Sequence, residues 1–366
     1  MSLKLSLRDV TKEYHGVRVL TVPELDVHEG EFFSLLGPSG SGKTTTLKLV
    51  AGFEGLTTGT IDVDGRDIAP VPVEKRNIGV VFQNYALFPH MTVAQNIAFP
   101  LETRRVPRAE IARRVAEVLE LVDLTAHRDK NAALLSGGQQ QRVAIGRTLV
   151  FEPSLLLMDE PLGALDRKLR QRLQEELRAL QRSLGITVVY VTHDQDEAMS
   201  MSDRIAIMNH GVVEQLGDPR GLYDRPETLF VSNFLGDNNT LAAIQASASS
   251  LRFDGGAEAA SASRFAPGTR LSATLRPERV SLARDGGRVH GSTRLTGTVT
   301  DVVALGAVTA YRVDVAGVGE LKATVQHSGD YFSAVPGDAV AVGWSGEDLH
   351  LFADSGTAPD DGLGDD

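Results

Sequence analysis

The sequence predicts an α/β fold with a parallel sheet and a helical insert, followed by a small all-β domain. Three observations lead to this prediction. A glycine-rich loop lies between an apolar strand and a helix near the N-terminus, further buried strands recur up to Gly236, and the remainder changes to short alternating segments between turns. The length of 366 residues suits two domains, each able to bury a core.

The glycine-rich loop spans residues 37–45 and matches G-x-x-x-x-G-K-[ST], the pattern of the phosphate-binding P-loop. A buried strand over Glu31–Leu36 precedes the loop and a helix follows from Thr45, which is the context that the motif requires. Lys43 is expected to reach the β- and γ-phosphates, and the Thr44 hydroxyl to ligate Mg²⁺. The alternative is a glycine- and serine-rich loop that matches by chance. The predicted phosphate-binding residues are Gly37, Ser39, Gly40, Ser41, Gly42, Lys43, Thr44 and Thr45.

Charge and residue content argue against several functions. The formal net charge of −11 disfavours a protein that holds nucleic acid through a basic face. The lack of cysteine excludes a disulfide framework, a thiolate metal site and a cysteine nucleophile. No apolar run approaches the ~20 residues that cross a bilayer, and residues 1–7 lack a signal-peptide core. We therefore expect a cytoplasmic protein that serves a membrane only through a partner.

Two side chains stand beside predicted strands in the N-terminal part. Residues 3–30 alternate as short strands around turns, and Tyr14 comes just before the first turn. Its ring is either a platform for adenine or a strand aromatic that packs on its neighbour. A buried strand over residues 77–82 ends at Gln83, whose amide is placed to contact Mg²⁺ or the attacking water.

Residues 84–150 depart from the strand pattern and predict a helical insert. Residues 108–122 carry apolar side chains at helical spacing. The apolar loop at residues 85–93 forms either the core of the insert, which is the default, or a surface groove for a partner's helix. Ser136 is placed to cap a further helix, whose N-terminus makes a second anion-binding element. This element comprises Ser136, Gly137, Gly138 and Gln139.

Polar side chains follow two further buried strands. The apolar segment 154–158 leads to Asp159 and Glu160. Because adjacent strand residues point to opposite faces, one carboxylate can hold the Mg²⁺ shell while the next orients water. Another strand, residues 187–192, ends at His193, which is a candidate contact for the γ-phosphate.

The domain boundaries follow from composition. Past Gly236 the chain is rich in Gly, Ala, Val, Thr and Ser, with alternating segments typical of a small β-barrel. The last residues are acidic and contain Gly and Pro, which predicts a disordered tail. The predicted units are residues 1–236 with the helical insert at 84–150, residues 237–355, and the tail at 356–366.

The order of these motifs resembles the ATP-binding-cassette (ABC) ATPases over residues 3–235, and the run Leu-Ser-Gly-Gly-Gln at 135–139 is the family signature. The C-terminal region, with its Leu-Arg-Pro-Glu-Arg run, is similar to the oligonucleotide-binding-like (TOBE) domains of bacterial import ATPases. Residues 163–170 and 234–239 look most like the polyamine (spermidine/putrescine) subgroup, while maltose-type and ferric-iron-type relatives share the architecture. Gly163 replaces the serine commonest in the wider family, so a side-chain hydroxyl role is absent there.

The resemblance implies a homodimer with two composite ATP sites, in which the P-loop of one copy faces the signature of the other. Glu160 is then the general base or water orienter, and Tyr14 stacks on adenine. The implied catalytic residues are Glu160, His193 and Gln83. The implied Mg²⁺ ligands are Thr44, Gln83 and Asp159. The implied nucleotide contacts beyond the P-loop are Tyr14, Ser136, Gly137, Gly138, Gln139 and Asp166.

By the same resemblance, two membrane permease subunits and an extracytoplasmic solute-binding protein are the partners, and the chain is peripheral on the cytoplasmic face of the inner membrane. Polyamine is the expected solute, with ferric iron or a sugar as alternatives. A nucleic-acid- or ribosome-associated ABC ATPase and an exporter are less favoured, and no nucleic acid is expected. The C-terminal domain is either a passive strut or a sensor or docking module.

Overall fold

The computed structural model describes residues 2–163, 166–261, 263–327 and 331–354, and the chain divides after Leu222 into two compact units. The sequence prediction places the boundary later, after Gly236. Residues 223–236 cluster with the second unit because Ser232 shares a 2.8 Å hydrogen bond with Thr274, and Arg276 lies 4.1 Å from the ring centroid of Tyr223. The predicted acidic tail and part of the predicted turn at residues 163–166 lie outside the described residues.

The first unit contains an antiparallel sheet and a mainly parallel sheet. Its strands are β1 (Leu3–Tyr14), β2 (Val17–His28), β3 (Phe32–Leu36), β4 (Thr58–Val63), β5 (Arg66–Asp67), β6 (Ile78–Val81), β7 (Leu155–Asp159), β8 (Val188–Thr192), β9 (Arg204–Asn209) and β10 (Val212–Gly217). Its helices are α1 (Lys43–Ala51), α2 (Val93–Thr103), α3 (Arg108–Leu121), α4 (Gly137–Leu149), α5 (Arg167–Leu184) and α6 (Gln195–Met201), and α7 (Pro219–Asp224) contains the point of division. No helix in the described part of the chain is long and apolar enough to cross a membrane.

The parallel sheet determines where the site lies. Its strand order is β10-β9-β3-β8-β7-β6, with β10 antiparallel to β9 and the other neighbours parallel. Buried apolar side chains such as Phe33, Leu157 and Val189 fill the strands. Because the carboxyl ends of parallel strands meet at one edge, the segments after β3, β6, β7 and β8 lie along the same edge. We call this edge the carboxyl edge.

The helical insert has a core of its own. Ile97 of α2 and Leu119 of α3 are buried there together with apolar residues of α4. Leu87 packs against this core and against the core of the sheet, and the ring centroid of Phe88 lies 4.5 Å from that of Phe99. The predicted helical insert is therefore confirmed, and Leu87 and Phe88 contribute to its packing.

The described part of the second unit is mainly β, as predicted, and the end of α7 and the short helix α8 (Leu229–Phe234) precede its strands. The strands are β11 (Asn239–Ser247), β12 (Ser250–Phe253), β13 (Glu258–Ala260), β14 (Arg270–Leu275), β15 (Ser281–Arg284), β16 (Thr293–Ala304), β17 (Val308–Val315), β18 (Gly319–Gln326), β19 (Ala339–Trp344) and β20 (Leu349–Ala353). They form two antiparallel sheets, with the orders β13-β12-β11-β14-β20 and β15-β19-β16-β17-β18, which share a core that includes Phe253 and Trp344. Strand β11 gives little signal in the sequence, because its three alanines are weak strand formers.

Candidate nucleotide-binding site

The P-loop joins β3 to α1, and its shape depends on glycine at two positions. A Cβ on Gly37 would lie 2.2 Å from the carbonyl oxygen of Met208, closer than any side chain can approach. Gly42 has φ of 100° in the left-handed region, where glycine alone is unstrained. Helix α1 begins at Lys43, earlier than the predicted Thr45, so the motif lysine lies in the first helical turn.

Lys43 lies folded across the loop. Its Nζ donates to the carbonyl oxygens of Gly37 at 2.7 Å and Pro38 at 2.8 Å, and the residue is buried. Burial lowers the pKa of Lys43. Among the described residues no carboxylate lies within ion-pair distance of this ammonium. A buried cation held by neutral carbonyl groups is the environment into which an anionic phosphate fits.

Thr44 and Asp159 form a pair of oxygen donors at the carboxyl edge. The Thr44 hydroxyl donates to Asp159 Oδ1 at 3.0 Å, which joins the first turn of α1 to the end of β7. Burial, followed by the charge of Glu160, raises the pKa of the Asp159 carboxyl. In the described ranges there is no group of three His, Cys, Asp or Glu that could hold a metal. One hydroxyl and one carboxylate nevertheless fit Mg²⁺, which takes few protein ligands and fills its shell with phosphate oxygens and water.

Glu160 is held between two of the other predicted residues. Gln83 Nε2 donates to Glu160 Oε2 at 3.4 Å, and His193 Nδ1 lies 3.0 Å from Glu160 Oε1. Glu160 has φ of 44°, a left-handed conformation that is uncommon outside glycine, and its N–H donates to the Val191 carbonyl oxygen at 2.9 Å. The structure thus brings Gln83, Glu160 and His193 together from the ends of three strands.

The second anion-binding element is the N-terminus of α4. Ser136 accepts a hydrogen bond from the Gln139 N–H, and the Gln139 side chain accepts one from the Ser136 N–H, which is a capping box. Gln139 Nε2 also lies 3.0 Å from His127 Nε2. Leu134, next to the element, is 83% exposed. No hydrogen bond among the described residues joins this element to Lys43 or Glu160.

Asp166 and Gly163 border the gap at residues 164–165. The Asp166 side chain accepts from the Leu169 N–H at 3.0 Å and so caps α5. A Cβ on Gly163 would lie 3.8 Å from Gln83 Nε2. Gly163 is therefore a neighbour of the Gln83 side chain, whereas the hydrogen bond of Asp166 remains within its own helix.

Tyr14 lies at the end of β1 with 39% of its surface exposed, so neighbouring side chains do not enclose it. Its phenol hydroxyl donates to Glu54, and this hydrogen bond raises the pKa of Tyr14 to about 12. Lys12 Nζ lies 4.8 Å from the ring centroid. The sequence did not indicate a role for Glu54 or Lys12. Glu54 is distant from Tyr14 along the chain, and Lys12 has no feature that distinguishes it from an ordinary strand residue.

Two further side chains support the carboxyl edge and were not predicted. Glu197 is buried and accepts hydrogen bonds from the Tyr190 and Thr192 hydroxyls at 2.8 Å each, and burial raises its pKa. Arg147 of α4 donates to the carbonyl oxygens of residues 85 and 86 at 2.7 Å each, which restrains the loop after Gln83. Spacing gives no signal for either residue, because charged side chains in helices are common on any surface.

Three features together define a nucleoside-triphosphate-binding protein of the ABC class. They are the P-loop with its lysine, the hydroxyl–carboxylate pair and the second anion-binding helix N-terminus. The family model described as ABC transporter matches residues 20–163, and the TOBE domain model matches residues 273–352. Both matches agree with the predicted resemblance and confirm the predicted fold class.

Curated relatives match nearly the whole chain. The spermidine/putrescine import ATP-binding protein of Thermobifida fusca is 48% identical over 358 residues, which cover 95% of this chain and 93% of the relative. The protein of the same name from Ruegeria pomeroyi is 43% identical, with 96% of each chain covered. The chain belongs to the family of ABC transporter ATP-binding proteins.

Solved structures resemble about three fifths of the chain. One is cbiO1 from Clostridium perfringens, part of the ABC transporter complex cbiONQ, with a TM-score of 0.58, 30% identity and coverage of 62% of this chain and 93% of that one. Another is a dimeric ATP-binding cassette in a post-hydrolysis state, bound to ADP and phosphate, with a TM-score of 0.53, 35% identity and coverage of 59% and 99%.

Proposed function

We propose that this chain is the ATP-hydrolysing subunit of an importer for polyamines of the spermidine and putrescine type. The observation that carries the proposal is Glu160, held between Gln83 and His193 beside the P-loop and the Thr44–Asp159 pair. The solute class is supported by the names of relatives that match 95% and 98% of this chain.

Each group at the carboxyl edge has a distinct role in this proposal. The P-loop N–H groups and Lys43 bind the β- and γ-phosphates, and Lys43 exchanges its two carbonyl contacts for phosphate oxygens. Thr44, Asp159 and Gln83 hold Mg²⁺, which when bound supplies positive charge beside the phosphates. Glu160 accepts the proton of the attacking water or orients that water.

His193 completes this arrangement. It fixes one carboxylate oxygen of Glu160 through the 3.0 Å contact and contacts the γ-phosphate from the end of β8. Gln83 approaches the other oxygen, so the carboxylate has a defined orientation before the substrate arrives. The predicted assignment of Glu160, His193 and Gln83 as catalytic residues is thus part of the proposal.

The second anion-binding element completes the site in a homodimer. Ser136, Gly137, Gly138 and Gln139 of one copy face the γ-phosphate held by the P-loop of the other, and Asp166 acts across the same interface. The dimeric cassette bound to ADP and phosphate is a precedent for such pairing.

The partners in this proposal are two permease subunits and an extracytoplasmic solute-binding protein, with the chain on the cytoplasmic face of the membrane. The loop at residues 83–91 transmits the opening and closing of the dimer, because it joins the γ-phosphate region to the helical insert. Arg147 restrains this loop from α4, so motion of the insert and of Gln83 is coupled.

The proposal is tested by uptake in the native cell, comparing wild type with Glu160→Gln and offering labelled spermidine, putrescine, ferric iron and a maltose-like sugar. Selective loss of polyamine uptake is the expected result. If uptake of a different solute were lost instead, that solute would replace polyamines as the substrate, and the ATPase role would be retained. Unchanged uptake of all four would contradict the importer function, and salt-dependent nucleic-acid binding would be measured next.

A further inference from the structure

The ring of Tyr14 is fixed by two side chains that belong to none of the sequence motifs. Glu54 accepts the phenol hydroxyl, and Lys12 Nζ lies 4.8 Å from the ring centroid. Lys12 is two residues before Tyr14 on β1, whereas Glu54 follows the end of α1. Tyr14 nevertheless remains 39% exposed as a residue, so the two contacts restrain its side chain without enclosing it.

Glu54 is itself anchored to the helix that follows the P-loop. It comes directly after the turn that ends α1, where the N–H of Phe53 donates to the Lys48 carbonyl oxygen at 3.0 Å. Its carboxylate lies 3.5 Å from Lys12 Nζ, and Lys12 Nζ donates to the Gly55 carbonyl oxygen at 2.9 Å. Both charged side chains are mostly buried, with Glu54 22% and Lys12 14% exposed. The hydrogen bond of Tyr14 therefore connects the β1–β2 hairpin to the far end of α1.

We propose that Glu54 and Lys12 are positioning residues of the base-binding platform that Tyr14 provides. Glu54 sets the orientation of the ring through the phenol hydroxyl, and Lys12 occupies one face by a cation–π contact, which leaves the opposite face for a purine base. The inference rests on the proposed role of Tyr14 in binding adenine.

The physical advantage is that the ring is ordered before the nucleotide binds. An exposed tyrosine that is free to rotate must lose side-chain entropy when a base stacks on it, and this loss weakens binding. Because Glu54 is attached to α1, whose first turn holds the triphosphate, the platform and the P-loop share one rigid element. The distance between the base and the phosphates is then set by the length of that helix.

The test compares the affinities for ATP and for inorganic tripolyphosphate, which has no base. Tyr14→Phe keeps the ring and removes the hydroxyl, and Glu54→Leu removes the acceptor. Each substitution is expected to weaken ATP binding about 3- to 10-fold, the effect of one hydrogen bond. Because both remove the same hydrogen bond, the double variant should bind ATP no more weakly than either single variant. Glu54→Gln keeps an acceptor oxygen and is expected to restore affinity to within about twofold. Tripolyphosphate affinity is expected to stay at the wild-type value, because this ligand has no base to stack on Tyr14.

Controls separate this inference from the role of Tyr14 itself. Arg18→Gln removes the exposed ion pair with Glu13 in the same hairpin and is expected to bind ATP as wild type does. If Tyr14→Ala weakens ATP binding but Tyr14→Phe and Glu54→Leu do not, the positioning role is overturned and the platform stands. If Tyr14→Ala binds ATP as wild type does, Tyr14 does not bind the base, and the positioning role of Glu54 and Lys12 is overturned as well.

A structural role for Glu54 would have a different signature. Glu54→Leu would then weaken tripolyphosphate and ATP equally, because the damage would reach the P-loop through α1, and this outcome also overturns the inference. Lys12→Met retains the aliphatic stem over the ring and removes the charge. It is expected to weaken ATP binding about 2- to 5-fold, the size of a cation–π contact with a partly exposed ring, and an unchanged affinity would contradict the role of Lys12.

Discussion

Replacing Glu160 with glutamine is expected to lower kcat for ATP hydrolysis by about 10²- to 10⁴-fold, the usual contribution of a positioned general base. The geometry adds a second, smaller effect. Glu160 presents one oxygen to Gln83 Nε2 and the other to His193 Nδ1, whereas glutamine has a single acceptor oxygen. Both contacts persist only if His193 changes tautomer so that Nδ1 accepts from the amide NH₂, and this change costs up to about 1 kcal/mol and about a further fivefold in orientation. KM for ATP should stay within about threefold, because the phosphate contacts of the P-loop are unaltered.

The assay is phosphate release at a range of ATP concentrations, with ATP binding measured separately by equilibrium titration. Glu152→Gln is the matched control, because its side chain is 76% exposed and its closest charged partner is Arg114 at 3.4 Å. Glu152 precedes β7, so it lies at the opposite end of the strand that leads to Glu160. If Glu160→Gln turned over within about threefold of this control, the assignment of Glu160 as general base would be wrong.

Three further predictions concern the metal position, the loop and the second unit. Asp159→Asn should raise the midpoint of thermal unfolding of the nucleotide-free protein at pH 7 and weaken Mg²⁺-dependent ATP binding. Burial raises the pKa of the Asp159 carboxyl, so its contribution to stability is most favourable below the ordinary aspartate pKa of about 3.9 and is lost as pH rises through its pKa in the folded protein. The gain in stability from Asp159→Asn should therefore vanish near pH 3. A lower unfolding midpoint for the variant than for wild type at pH 7 would contradict this prediction. Gly37→Ala should lower ATP affinity at least about tenfold by displacing the loop, whereas Gly55→Ala, whose Cβ meets nothing within 4 Å, should not; equal titration curves would refute the packing argument. Trp344→Ala should destabilise the second unit by about 3–5 kcal/mol in denaturant unfolding, and a loss below about 1 kcal/mol would show that its fully buried ring is not central to that core.

The sequence was sufficient for the parts of the site that depend on the parallel sheet. Asp159, Glu160 and His193 each follow a run of buried apolar residues, and the topology of parallel strands then brings them to one edge. The helix after Ser136 was predictable from its capping residues, because local hydrogen bonds decide where a helix begins. These features depend on patterns within about ten residues of the chain.

Features that depend on distant pairing were not predictable. Glu54 meets Tyr14 only when the β1–β2 hairpin and the end of α1 come together, and nothing in either segment signals the other. The left-handed backbone of Glu160 was also hidden, because such a conformation in a non-glycine residue is imposed by tertiary contacts such as the bond to Val191. Strand β11 has only two β-branched residues, Thr240 and Ile244, among three alanines, so its place in the sheet is set mainly by packing against its neighbours.

The central claim is that one chain carries two complementary half-sites for ATP, which meet only when two copies pair. The most direct measurement is the molar mass of Glu160→Gln in solution with and without MgATP, by light scattering after size-exclusion chromatography. MgATP should double the molar mass, because ATP is bound and not hydrolysed. Adding Ser136→Glu, which places a negative charge at the second anion-binding element, should abolish the doubling while Lys43 still binds ATP. A molar mass that did not change with MgATP, or a doubling that persisted with Ser136→Glu, would contradict the composite site.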